Sequence, residues 1–170
     1  MKRQIVLKII SVCLVVMWMV IVFLLSNQVA EDSSKTSGAV IRTIITFFNS
    51  DMPKELLEQK VAELQFVIRK LAHFTLYTIG GILITIMFFQ YIDNIKHTKV
   101  MSILLGTLNA ITDEIHQLLV PGRSGEIRDV IIDTSGVILG VIVISFLVYL
   151  KGKLNWQKIK NKIKEKRKFK

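Results

Sequence analysis

Asp113-Glu114-Ile115-His116-Gln117 lies near the end of residues 100–119, a run that otherwise reads as a membrane-spanning helix. A carboxylate at bilayer depth costs at least about 2.5 kcal/mol on insertion scales, so such groups turn toward a bundle interior or a water-filled cavity. Whether this run spans a membrane or fills a soluble core decides the fold, and its surroundings answer the question. Three more apolar runs, 5–25, 71–89 and 130–150, are each long enough, at about 20 residues, to cross a hydrocarbon core of roughly 30 Å. Of the 170 residues, 51% are hydrophobic, and the mean hydropathy of +0.49 is too high for a soluble domain of this size. The expected fold is therefore all-α, an integral membrane bundle of four transmembrane helices. A single membrane domain would occupy residues 1–150, with a basic cytoplasmic tail at 151–170.

The first run follows Met1-Lys2-Arg3, as in a signal peptide, but it exceeds the usual apolar core of about 7–15 residues and no small-x-small cleavage site follows it. A retained span is expected. The single cysteine, Cys13, lies inside that run, so an intrachain disulfide and a cysteine metal motif are both ruled out. The net charge of +10 is concentrated in the tail, where ten basic residues face Glu165 alone. A basic tail directly after a span suits anionic lipid headgroups and a topology signal, and no nucleic-acid partner is expected. Lys2, Arg3 and Lys8 at one terminus and the tail at the other place both termini in the cytoplasm, which four spans permit. Segment 26–68, with six acids against four bases, then becomes extracytoplasmic.

That outer segment carries its own pattern. Ser26-Asn27-Gln28 and Ser33-Ser34-Lys35-Thr36-Ser37-Gly38 read as loops. From Val40 onward, Arg42, Thr46 and Asn49 share one helical face opposite Ile41, Ile44, Ile45, Phe47 and Phe48, as in a short amphipathic helix lying in the interface. Asp51 and Pro53 start a second helix. In it Leu57, Val61, Leu64 and Ile68 form a stripe expected to pack on the bundle and lead into the second span.

With this topology the polar residues of three spans converge. Arg69, His73 and Tyr77 recur every four residues and share a face near the outer start of the second span, beside Lys70. Asn109, Asp113, His116 and Gln117 occupy an arc of about 100° at the outer end of the third span, flanked by Glu114. Asp129, Asp133, Gly136 and Gly140 line one seam at the outer start of the fourth. The connecting loop adds Arg123, and Ser124 is a plausible N-cap for the fourth helix. Backbone donors at that helix start, beside Arg123, Arg128, Arg69 and Lys70, suit a phosphate or carboxylate ligand. Gly136 and Gly140 are expected to serve close helix packing.

Arg69-Lys70-x-x-His73-x-x-x-Tyr77, then Asp113-Glu114-x-x-Gln117-x-x-x-Pro121-x-Arg123, then Asp129-x-x-x-Asp133-x-x-Gly136, together resemble the VanZ-like family, named for the teicoplanin-resistance protein VanZ. Ser26-Asn27-Gln28 resembles that family's Ser-Ser-Gln element, with Asn27 in place of the second Ser. Asp133 departs from the Asn expected at its position. The resemblance implies a small, multi-pass bacterial plasma-membrane protein. Some relatives are linked to low-level resistance to teicoplanin or other envelope-active agents, with no agreed biochemical activity.

Three readings of the outer polar cluster follow. In the first, Arg69, Lys70, His73, Tyr77, Asp113, Glu114, Gln117, Arg123, Asp129 and Asp133 bind a lipid or cell-wall-related ligand. In the second, His73 or His116 is an acid/base oriented by Asp113 or Glu114, with Arg69 and Arg123 clamping a phosphate-bearing substrate. No nucleophile elbow, P-loop or HExxH pattern accompanies it. In the third, the cluster is a packing network in which Arg69 or Lys70 pairs with Asp113, Glu114 or Asp129. His73, His116, Asp113, Glu114 and Asp129 have the donor types of a divalent-metal site, but their spacing matches no metal motif, and neither metal nor cofactor is expected. Membrane lipids are the expected partners.

Overall fold

The computed structural model describes the backbone of residues 2–27, 30–122 and 125–168, and side chains at 2, 4–27, 35–122 and 125–152. Five helices follow one another: α1 (Lys2–Ser26), α2 (Ala30–Phe48), α3 (Lys54–Phe88), α4 (Ile95–Gln117) and α5 (Ile127–Lys168). The described residues contain no strand. Asn94 caps α4 by accepting from the Lys96 and His97 amides at 2.9 and 3.2 Å, which satisfies two orphan donors of the first turn. After α4 the chain reverses through Gly122, whose φ of 76° lies where a side chain is strained.

Three helices are long and apolar enough to cross a membrane: Gln4–Ser26, Lys54–Phe88 and Ile127–Gly152. The third predicted run, now α4, is not among them. Its last three turns hold Asn109, Asp113, Glu114, His116 and Gln117, and its first turns Lys96, His97 and Lys99. The 35 residues of α3 give about 52 Å of helix, well beyond a hydrocarbon core of roughly 30 Å. The predicted second span and the helix expected before it are thus one continuous rod.

α3 is central and touches all four other helices, α5 most extensively. The core combines Val15, Trp18 and Val22 of α1, Tyr77 and Ile84 of α3, Ala110 of α4, and Val137 and Val141 of α5. The Trp18 indole nitrogen donates to the Leu76 carbonyl at 2.9 Å, and its ring meets Tyr77 edge-on at 5.5 Å. A buried indole N–H normally needs such a partner. α3 and α5 cross almost backbone to backbone. A Cβ added at Gly136 would come within 2.5 Å of the Phe74 carbonyl oxygen, and one at Gly140 or Gly81 would strike the facing helix's backbone. The Gly136/Gly140 pair therefore acts as its spacing predicts, letting two helices approach where van der Waals contact must substitute for a hydrophobic driving force.

α2 is longer than expected. Residues 33–38 are helical rather than loop, and the helix begins at Ala30. Serine and threonine are only modestly poorer helix formers than alanine, so packing of α2 on α3 is enough to carry the helix through this stretch. Arg42 grips Glu58 of α3 through two hydrogen bonds of 2.8 and 2.6 Å. Beneath this pair Ile41 and Val61 are buried, whereas Leu64 of the predicted stripe faces outward and is 42% exposed. Phe47 and Phe48, more than four-fifths exposed, end α2 as an apolar tip.

Candidate functional site

The polar residues of α3, α4 and α5 meet at one end of the bundle, as their spacing predicts, and they divide into two groups. The first is an ion-pair cluster. Lys70, on the α5 side of α3, is nearly buried and bonds directly to Asp129, with Glu126 at 3.7 Å. The predicted pairing with Asp129 is thus realised, and Glu126 joins it. Glu114 reaches across from α4, where its carboxylate accepts from the Glu126 amide at 2.8 Å. Because α5 begins at Ile127, this anion sits at the helix's N-terminus, among amides that have no intrahelical acceptor.

The second group lies deeper and toward α1. His73 of α3 points its Nδ1 toward Asp133 of α5 at 3.7 Å, longer than a hydrogen bond. Asp133 is completely buried, and neither of its oxygens has a hydrogen-bond partner among the described residues. Asp113 of α4, also buried, accepts from Gln117 at 3.1 Å. His73, Asp113 and Asp133 each bring one possible ligand atom within 4.8 Å of the others. Tyr77 closes the floor of this group, fully buried and 3.4 Å from the Asn109 amide.

Two cavities flank the second group. One, of about 340 Å³, lies among α1, α2 and α3. Val22, Leu25, Val40, Ile68, Ala72 and Leu76 make it mainly apolar, and Arg69, His73 and Ser26 give it a polar edge. Arg69 makes no ion pair among the described residues. The other cavity, of about 170 Å³, lies between α1 and α4 and is lined by Asp113, His116, Asn109 and Phe23 among others. His116 stacks on Phe23 with ring centroids 4.4 Å apart.

The predicted site residues are therefore distributed rather than pooled. Lys70, Glu114 and Asp129 belong to the ion-pair cluster; His73, Asp113 and Asp133 to the deeper group; and Arg69 to the larger cavity. Gln117 orients Asp113, and Tyr77 is core. Arg123 and Ser124 lie outside the described residues. Sequence reasoning missed Glu126, which loop composition hides because any loop acid looks solvated. It also missed Phe23, which resembles its apolar neighbours until the bundle places it on His116.

Three helices long and apolar enough to cross a membrane, with polar residues gathered at one bundle end, define the class as an all-α membrane protein. A family model described as VanZ/LLP1 matches residues 11–149, well over half of the chain, and the chain belongs to that family. No curated protein and no solved structure matches it.

Proposed function

We propose that this chain is a bacterial plasma-membrane protein of four spans, with both termini cytoplasmic and the polar pocket facing outward. There it binds a phosphate-bearing lipid or cell-wall-related ligand, and so modulates susceptibility to teicoplanin-type or other surface-acting antimicrobials. The observation that carries the binding reading is the larger cavity. Its long apolar wall suits an acyl or isoprenoid chain, and Arg69 at its edge is a cation with no carboxylate partner among the described residues. Guanidinium is the side chain best fitted to phosphate. That α4 also spans, making four in all, is supported by Leu104, Leu108, Ile111 and Ile115, a helical stripe of exposed apolar residues on the side away from the bundle. So much apolar surface on a protein of this size calls for lipid.

Orientation is tested with Cys13→Ser as background and single cysteines at the exposed positions Lys35, His97 and Pro121. An impermeant thiol reagent is expected to label the first and third in intact cells and to spare His97; the reverse pattern overturns the outward-facing site.

Binding is tested in nanodiscs with an isoprenyl phosphate as probe and native mass spectrometry as readout. Arg69→Gln is expected to weaken binding about tenfold, the scale of one lost charge-assisted hydrogen bond of roughly 1.5 kcal/mol, while melting temperature stays unchanged. Equal binding by wild type and variant overturns the reading. An unphosphorylated isoprenol as second probe separates head-group recognition from simple apolar partition.

A further inference from the structure

We propose that His73, Asp113 and Asp133 form a site for one first-row divalent cation of the Zn²⁺ or Mn²⁺ type, tying α3, α4 and α5 together. The three donors come from three different helices, and one possible ligand atom of each lies within 4.8 Å of the others. Ligand atoms held tetrahedrally with bonds of about 2.1 Å stand about 3.4 Å apart, so side-chain adjustments of roughly 1 Å close the set.

The independent observation is Asp133. Its side chain is wholly buried and aimed at His73, and both its oxygens lack any hydrogen-bond partner among the described residues. A buried carboxylate without donors is among the costliest arrangements in a protein, and a bound cation is one of the few ways to satisfy it. Beyond His73 itself, which lies at 3.7 Å, the nearby cations are directed elsewhere. Lys70 is committed to Asp129 and Glu126, and Arg69 lines the cavity on the α1–α2 side. Asp113 brings a second buried carboxylate to the same point, and its one described donor is Gln117. His73 Nδ1 is likewise buried and unpartnered.

Donor chemistry narrows the cation. One imidazole nitrogen with two carboxylates is a mixed set suited to Zn²⁺ or Mn²⁺, whereas Ca²⁺ and Mg²⁺ prefer oxygen alone. Three protein ligands leave further coordination positions for water or for an anionic group from the adjoining cavities. The sequence expectation of no metal rested on spacing. No linear spacing marks a site whose ligands come one from each helix, and the set found here includes Asp133 and leaves out His116, Glu114 and Asp129.

The test uses the full chain purified in detergent, stripped with EDTA and then offered Zn²⁺, Mn²⁺ or Mg²⁺. Wild type is expected to retain about one Zn²⁺ or Mn²⁺ per chain by elemental mass spectrometry, and its melting temperature to rise by several degrees with metal and fall again with EDTA, as for any ligand of the native state. His73→Gln and Asp133→Asn are each expected to weaken binding at least about tenfold, and Glu58→Gln, on the far arm of α3, to leave it unchanged. Should one variant fail to fold, the other and the wild-type metal content still decide. Retention below about one-tenth of an ion per wild-type chain overturns the proposal. So does a metal response unchanged in either variant, or an Asp133→Asn chain that is more stable than wild type and indifferent to metal, the signature of a carboxylate holding a proton. Metal content and melting read this site; isoprenyl-phosphate binding by Arg69 reads the other, so either can fail alone.

Discussion

Gly136→Leu is expected to reduce the folded protein recovered from membranes by more than tenfold, and Gly140→Leu to do the same. The cause is geometric. Even a Cβ at Gly136 meets the Phe74 carbonyl oxygen at 2.5 Å and the Thr78 amide nitrogen at 3.2 Å, and both are backbone atoms that no rotamer change can move. At Gly140 the obstruction is again backbone, from Thr78, Ile82 and Gly81. Overpacking a core ordinarily costs about 1–3 kcal/mol because flexible side chains yield. Here whole helices must separate, and the α3–α5 seam they open is the most extensive in the protein.

A graded series checks the mechanism. Alanine at either position should lower the melting temperature in detergent, leucine should abolish the monodisperse species on size-exclusion chromatography, and Gly152→Leu should do neither. Nothing lies within 4 Å of a Cβ at Gly152, and replacing a mid-helix glycine there favours the helix by up to about 1 kcal/mol. A Gly136→Leu chain that melts like wild type would mean that α3 and α5 do not cross as described. Such a result would also dissolve the site, because this crossing sets the separation of His73 from Asp133.

Much of this architecture is legible in the sequence, for reasons that differ from element to element. The apolar runs are read from length alone, and their polar ends from a helical period of 3.6, which places Arg69 and His73 on one cavity and Asp113 beside Gln117. The glycine pair reads correctly because close approach in a membrane has few other solutions. What the sequence hides is rotation and reach. Tyr77 shares the face of Arg69 and His73, yet two turns deeper the same face has passed from cavity to core, against Trp18. Leu64 fits the apolar stripe but looks outward, since α2 packs over only Val61 and its neighbours. Glu114 seemed a flanking residue on its own helix wheel. Its function depends on where α5 begins, and that is fixed by a connection no periodicity describes. The deeper group needs three helices to be phased against one another, information that no single stretch of chain contains.

Lys70→Met should separate the structural part of this site from the part proposed to bind a ligand. The lysine is almost buried and neutralises Asp129, with Glu126 close by. Removing it leaves two carboxylates facing each other beside a third, Glu114, and breaking a buried pair in this way costs about 3–5 kcal/mol. A large fall in melting temperature is expected, with loss of most of the protein from the membrane. The double variant Lys70→Met/Asp129→Leu should recover a substantial part of that loss, because apolar replacement of both partners removes the uncompensated charge along with the pair. Arg69→Gln, one residue away, predicts the opposite pattern: unchanged melting and lost ligand binding, since Arg69 holds no partner among the described residues whose desolvation would be exposed. Adjacent cations on one helix meet different surroundings because the helix turns about 100° between them, carrying Lys70 toward α5 and Arg69 toward α1 and α2. Equal destabilisation by both substitutions would merge the two groups into a single packing network, and the cavity beside Arg69 would lose its claim to a ligand.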